Sequence, residues 1–136
     1  MSFLLDTNIC SEFVRRPSAL THRFNQHSGR LYISTTILAE LSAWGYGARN
    51  SNYVSGAIRD LLRNDVRVVM FDEECADRYG QLHAFLKPAG IKLGTADLMI
   101  AAAALVNDFT LVTHNTADFQ NVPKLRLADW LKGKPT

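Results

Sequence analysis

Residues 94–106 read GTADLMIAAAALV, and the fold turns on this stretch. Leu98–Val106 carries no polar side chain, so the helix it forms is apolar all round and belongs between layers, not on a surface. Thr95 stands where a cap is needed, which predicts a helix over Thr95–Asn107. Its only acid, Asp97, falls in the first turn, where a negative charge complements the helix dipole by about 0.3–1 kcal/mol. The dipole accounts for the sign and place of that charge. It does not account for a carboxylate at the front of a buried helix, where a cleft would open.

Outward from this helix, short apolar runs alternate with longer helical patterns. Strands are expected at Ser2–Leu5, Leu31–Ile33, Val66–Phe71 (β-branched, hence buried), Phe109–Thr113 and, as a short edge strand, Leu125–Leu127. Helices are expected at Thr7–Val14, stopped before Pro17, and at Ala19–Gln26, closed by Ser28-Gly29. Further helices are expected at Thr35–Gly47, Tyr53–Asn64 and Glu73–Leu86, with a helical turn at Ala128–Leu131. Lys87–Gly94 reads as a loop, and Ile37, Leu38, Leu41 and Trp44 form one stripe of their helix. Strands alternating with helices imply a parallel sheet covered on both faces. The expected fold is therefore α/β, a three-layer α/β/α sandwich around a mostly parallel sheet of four to five strands.

The 136 residues suit one domain, 1–136, and at 47% hydrophobic they can bury a core without staples. A net charge of +2, from 15 basic and 13 acidic residues, neither announces nor excludes a nucleic-acid partner. Cys10 and Cys75 lie far apart in apolar surroundings and read as buried free thiols, as expected of a cytoplasmic protein. MSFLLDTNIC lacks the basic region of a signal peptide, and no apolar run reaches the ~18 residues of a membrane span. Trp44, Tyr46, Tyr53 and Phe13 are read as core aromatics.

Four acids stand at ends or margins of elements. Asp6 closes the first strand and also suits a helix cap, with polar Thr7 and Asn8 beside it. Glu40 lies at the margin of an apolar stripe, and no other Asp, Glu, Lys, Arg or His occurs between Leu31 and Ala48. Asp97 opens the buried helix. Asp118 follows the fourth strand, after Thr113, His114, Asn115 and Thr116, in what reads as a polar turn. In a parallel sheet these positions can share one edge, and ligands of such folds bind at the carboxyl ends of the strands.

Carboxylates gathered in one pocket repel each other unless a cation neutralises them. Oxygen donors without Cys or His select Mg²⁺ or Mn²⁺. His22, His27, His83 and His114 show no metal-ligand spacing, which argues against zinc; His114 is expected near the site as a neighbour. Such an ion suits phosphodiester hydrolysis by water, which needs no protein nucleophile. None is evident: G-x-S-x-G, P-loop and G-x-G-x-x-G are all absent.

LLDTN (4–8), AEL (39–41), DLMIAAAAL (97–105), LVTHNTADF (111–119) and LRLADWL (125–131), in that order, resemble the PIN domain, and more narrowly the VapC-type ribonuclease toxins of bacterial toxin–antitoxin systems. The resemblance spans essentially the whole chain. It implies an α/β/α sandwich and an acidic quartet at Asp6, Glu40, Asp97 and Asp118. By this likeness Asp6 and Asp97 are the principal metal ligands, Glu40 holds a water or a second ion, and Asp118 completes the set. Asn115, in the same loop, is the alternative to Asp118. Thr7, Asn8, Thr113 and Asn115 would hydrogen-bond waters, carboxylates or substrate phosphate. GIKLGTAD (90–97) keeps the pattern's glycine and an apolar Leu93, but has Lys92 where the family often has proline.

The resemblance further implies an RNA substrate, a homodimer, and a cognate antitoxin whose peptide fills a groove near the acids, with an Arg or similar group able to pair with them. Arg15, Arg16, Arg23, Arg30, Arg49, Lys87, Lys92, Lys132 and Lys134 could frame an RNA path. Three other classes compete. A phosphate-receiver domain would want adjacent acids after the first strand and a Lys after a late one. A haloacid-dehalogenase-type phosphatase would show D-x-D-x-T, and LLDTN supplies one Asp only. The third is a protein-binding module whose acids are structural.

Overall fold

The computed structural model describes residues 1–132. In chain order the elements are β1 (Phe3–Leu5), α1 (Thr7–Arg15), a 3₁₀ turn (Pro17–Ala19), α2 (Thr21–Gln26), β2 (Leu31–Ser34), α3 (Thr35–Gly47) and α4 (Ser51–Asn64). Then follow β3 (Arg67–Val69), α5 (Glu73–Leu86), α6 (Thr95–Val106), β4 (Thr110–Val112), α7 (Thr116–Phe119) and β5 (Leu127–Ala128). The five strands form one sheet in the order β3-β2-β1-β4-β5, and every pair is parallel. With its helices this is the expected α/β/α sandwich.

The strand order places the site. The chain leaves β1 toward β2 and β3, then returns to lay β4 against the other side of β1. Loops that leave β1 and β4 therefore diverge at their carboxyl ends, and a crevice opens between them. Asp6 follows β1 and Thr113 follows β4, with Leu5 paired to Val112 just before them.

The central strands are buried on both faces, as a covered parallel sheet requires: Leu4, Leu5, Ile33, Leu111 and Val112 have no exposed surface. α6 is as buried as its composition demands, with Leu98, Ile100 and Ala101–Ala104 in the core. Its four consecutive alanines let α5 and α3, both packed against it, come close. Asp72 caps α5 by accepting from the Cys75 amide at 3.0 Å, and buried Ser34 caps α3 by accepting from Ile37 at 3.3 Å. Cys10 and Cys75 are free, buried thiols.

Several local expectations need correction. Thr95 is not the cap of α6: it is the first helical residue, Gly94 takes the cap position, and no side chain bonds to the cap amides. A hydroxyl on the first helical residue is one position too late to reach them. The segment 66–71 is not a buried strand. β3 spans only Arg67–Val69 at the edge of the sheet, and Val68 and Met70 are 40% and 69% exposed. β-branched residues there supply strand propensity without burial. The helix expected over 19–26 is broken at Leu20, because Pro17 opens a 3₁₀ turn of its own that the Leu20 amide closes on the Pro17 carbonyl. THNTADF holds a one-turn helix, α7, not only a turn. β5 falls one to two residues later than expected, and the helical turn over 128–131 gives way to Ala128 in β5 and a turn starting at Trp130. Tyr46 and Tyr53 are surface residues, 85% and 60% exposed; only Trp44 and Phe13 of that aromatic group pack against the core.

Candidate metal and catalytic site

Asp6 is the anchor. It leaves β1 in extended conformation and caps α1 through Oδ1, which accepts from the Thr7 amide at 2.8 Å. Its other oxygen, Oδ2, accepts from Thr113 Oγ1 at 2.8 Å. Both residues are buried, Asp6 at 4% exposure and Thr113 at none. The cap reading of Asp6 holds through one oxygen, while the other bonds across the crevice to the end of β4.

A hydrogen-bonded belt surrounds it. Asn8 Nδ2 donates to Thr113 Oγ1 at 3.3 Å, and Asn8 Oδ1 accepts from the His114 amide at 3.0 Å. The Asn115 amide donates to Thr113 Oγ1 at 3.1 Å, and the Asp118 amide donates to the Asn115 carbonyl at 3.0 Å. Thr7 Oγ1 reaches the other way and donates to Glu40 Oε1 on α3. Thr7, Asn8, Thr113 and Asn115 therefore tie the carboxyl ends of β1 and β4 together and to the middle of α3.

The acids feel one another. Burial, joined by the charges of Asp97 and Glu40, raises Asp6 to about 6 despite its bonds from Thr113 and Thr7. Burial also raises Asp97, with the charges of Glu40 and Asp118 adding to it. Like charges thus link Asp6 to Glu40 and Asp97, and Asp97 to Glu40 and Asp118. Glu40 and Asp97 are half-buried, while Asp118 and Asn115 are exposed on the rim.

Among the described residues no three His, Cys, Asp or Glu side chains form a ready-made cage. The donor set is nonetheless that of a hard cation: carboxylates, hydroxyls and amides, with crowding that a divalent charge relieves. Mg²⁺ keeps several waters and needs only one or two direct carboxylates, so an open arrangement fits it.

Other expected residues fall elsewhere. His114 is beside the site, its Nδ1 3.1 Å from Asp129 Oδ2, whereas His27 stacks on Trp130 and His83 on Tyr79. Arg30 precedes β2, at the sheet edge opposite the acids, and Arg23 lies over Trp130. Arg15 and Arg16 pair with buried Glu12. Arg49, Lys87, Lys92 and Lys132 are exposed, and Lys134 is outside the described residues. Asp129 was not singled out from the sequence. It follows β5 as Asp6 follows β1, so its place in LADWL was the available signal.

The PIN domain family model matches residues 3–125. The chain is 35% identical to the tRNA(fMet)-specific endonuclease VapC of Shigella flexneri, over 96% of this chain and 98% of that one. It is 30% identical to ribonuclease VapC2 of Rickettsia felis, over 97% of this chain and all of the relative. The chain superposes with a TM-score of 0.90 on a chain of DNA-bound VapBC from Salmonella typhimurium, at 29% identity and covering 96% and 98% of the two. With its fold, its ordered motifs and these likenesses in agreement, the chain belongs to the PIN domain family, among its VapC-type members.

Proposed function

We propose that this protein is a Mg²⁺- or Mn²⁺-dependent endoribonuclease that hydrolyses RNA phosphodiester bonds, acts as the toxin of a toxin–antitoxin pair, and is held inactive by a cognate antitoxin. The observation that supports the reading is buried Asp6 at the β1/β4 crevice, raised to about 6 by burial and by the charges of Asp97 and Glu40, with Asp97 raised in turn beside Glu40 and Asp118. The names of the relatives supply the RNA substrate, and the toxin role rests on the VapC likeness.

Asp6 and Asp97 would hold the ion, directly or through water, with Glu40 and Asp118 completing the set. The ion would supply Lewis-acid stabilisation of charge on the phosphate and activation of water. Thr113 fixes the Asp6 carboxylate through Oδ2, and Thr7 fixes Glu40, so neither acid must reorganise when substrate arrives. Asn8 clamps the loop that carries His114 and Asn115, which keeps the mouth of the crevice in place. The exposed Asn115 side chain is free to bond a phosphate oxygen.

No described helix is long and apolar enough to cross a membrane, and a cytoplasmic homodimer is part of this reading. Purified protein should cut RNA with Mg²⁺ or Mn²⁺, stop with chelator, and stop with stoichiometric antitoxin encoded beside it. Metal-dependent stabilisation without any cleavage would favour a receiver or binding module instead.

A further inference from the structure

A cleft of about 210 Å³ between α1 and α3 is lined by Thr7, Ser11, Arg15 and Trp44. Thr7, Ser11 and Arg15 are spaced by four along α1 and so share a face, which runs about 12 Å down the helix. Trp44 stands one turn beyond Glu40 on α3. The cleft therefore starts at the Thr7–Glu40 hydrogen bond and leads away from the acids. Its lining holds one cation, one indole and two hydroxyls, and no carboxylate.

Resting on the nuclease reading, we propose that this cleft is a nucleotide subsite: Trp44 stacks an unpaired RNA base and Arg15 takes a phosphate of the same strand, beside the scissile position. Trp44 packs in part against the core, so the rest of its ring is a fixed platform. Stacking on such a platform accepts any base, provided it is unpaired. Arg15 is 58% exposed and makes only a long contact of 3.4 Å to Glu12, which leaves donors for a phosphate. The neighbouring groove between α1 and α4 has another character. Phe13, Val14 and Tyr53 line it with Asp60 and Asp65, an apolar and acidic surface that repels RNA.

The test uses the intact protein and an unlabelled single-stranded RNA oligonucleotide of mixed sequence, with melting curves to confirm folding. Trp44→Ala should raise KM about tenfold with kcat within about twofold, and Trp44→Phe should recover most of the loss. Arg15→Gln should raise KM and lower the salt dependence of binding by about one phosphate contact. RNA should quench the fluorescence of Trp44, a signal absent in Trp44→Phe, since Trp130 is only 5% exposed. Unchanged KM, salt slope and fluorescence in folded variants that still cut RNA would overturn the subsite and leave the nuclease standing. Quenching by RNA in a wild-type protein that cuts nothing would leave the subsite standing and remove the nuclease. Variants that lose only antitoxin binding would assign the cleft to a peptide and overturn the subsite.

Discussion

Thr113 donates a 2.8 Å hydrogen bond to Asp6 across 107 residues of sequence, and the bond joins the ends of the two strands that flank the crevice. The same hydroxyl oxygen accepts from Asn8 and from the Asn115 amide. One threonine thus holds a carboxylate, a neighbouring amide side chain and a loop.

Thr113→Val keeps the shape and removes that oxygen. Three groups lose a partner at once, the buried Asp6 carboxylate among them, and stability should fall by about 2 kcal/mol. With Asp6 no longer oriented, RNA cleavage should fall by roughly 10–100-fold. Chemical denaturation and single-turnover cleavage measure the two effects. A variant that cleaves like the wild type would show that the bond does not position Asp6.

Asp97→Asn should abolish cleavage and leave folding within about 1 kcal/mol of wild type, because it removes one member of a mutually repelling set without changing its volume. Wild-type cleavage rates in this variant would remove Asp97 from the site.

Asp118 and Asn115 make separate contributions. Asp118 adds negative charge at Asp97, whereas the Asn115 backbone already serves Thr113. Asp118→Asn should therefore weaken metal binding more than Asn115→Ala, as read by titrating Mn²⁺ against melting temperature. The reverse order would give the fourth place to Asn115.

The raised Asp6 makes metal-free stability depend on pH. Its folded value is about 6 against an ordinary 3.8, so the folded state binds the proton more tightly than the unfolded chain. That contribution is full below about pH 3.8 and is lost as pH rises through about 6, a change of about 3 kcal/mol. Metal-free protein should gain stability on going from pH 7.5 to pH 5 through this group. Mn²⁺ should raise the melting temperature more at pH 7.5, where the carboxylates are charged, than at pH 5. Equal shifts at both pH values would contradict an acid-bound ion.

Much of the fold was legible because its signals are local. The stretch 98–106 is apolar on every side, which places its helix between layers, and the gap between Pro17 and Gly29 confines α2. The four acids drew attention because each follows a strand, opens a helix or marks the margin of an apolar helix face. What escaped depends on neighbours in space. Val68 and Met70 are apolar yet exposed because β3 has only one partner strand. Tyr46 and Tyr53 have aromatic side chains suited to a core, but their helix faces point outward. The pairing of His114 with Asp129 required β5 to lie beside β4, which no local pattern states.

The most direct test of the central claim is anomalous scattering from crystals grown with Mn²⁺. The account predicts a peak at the β1/β4 crevice, within direct or one-water reach of both Asp6 and Asp97, that disappears in Asp97→Asn. A well-ordered Mn²⁺-soaked crystal with no peak there, or with the two carboxylates turned away from any shared ion, would contradict it.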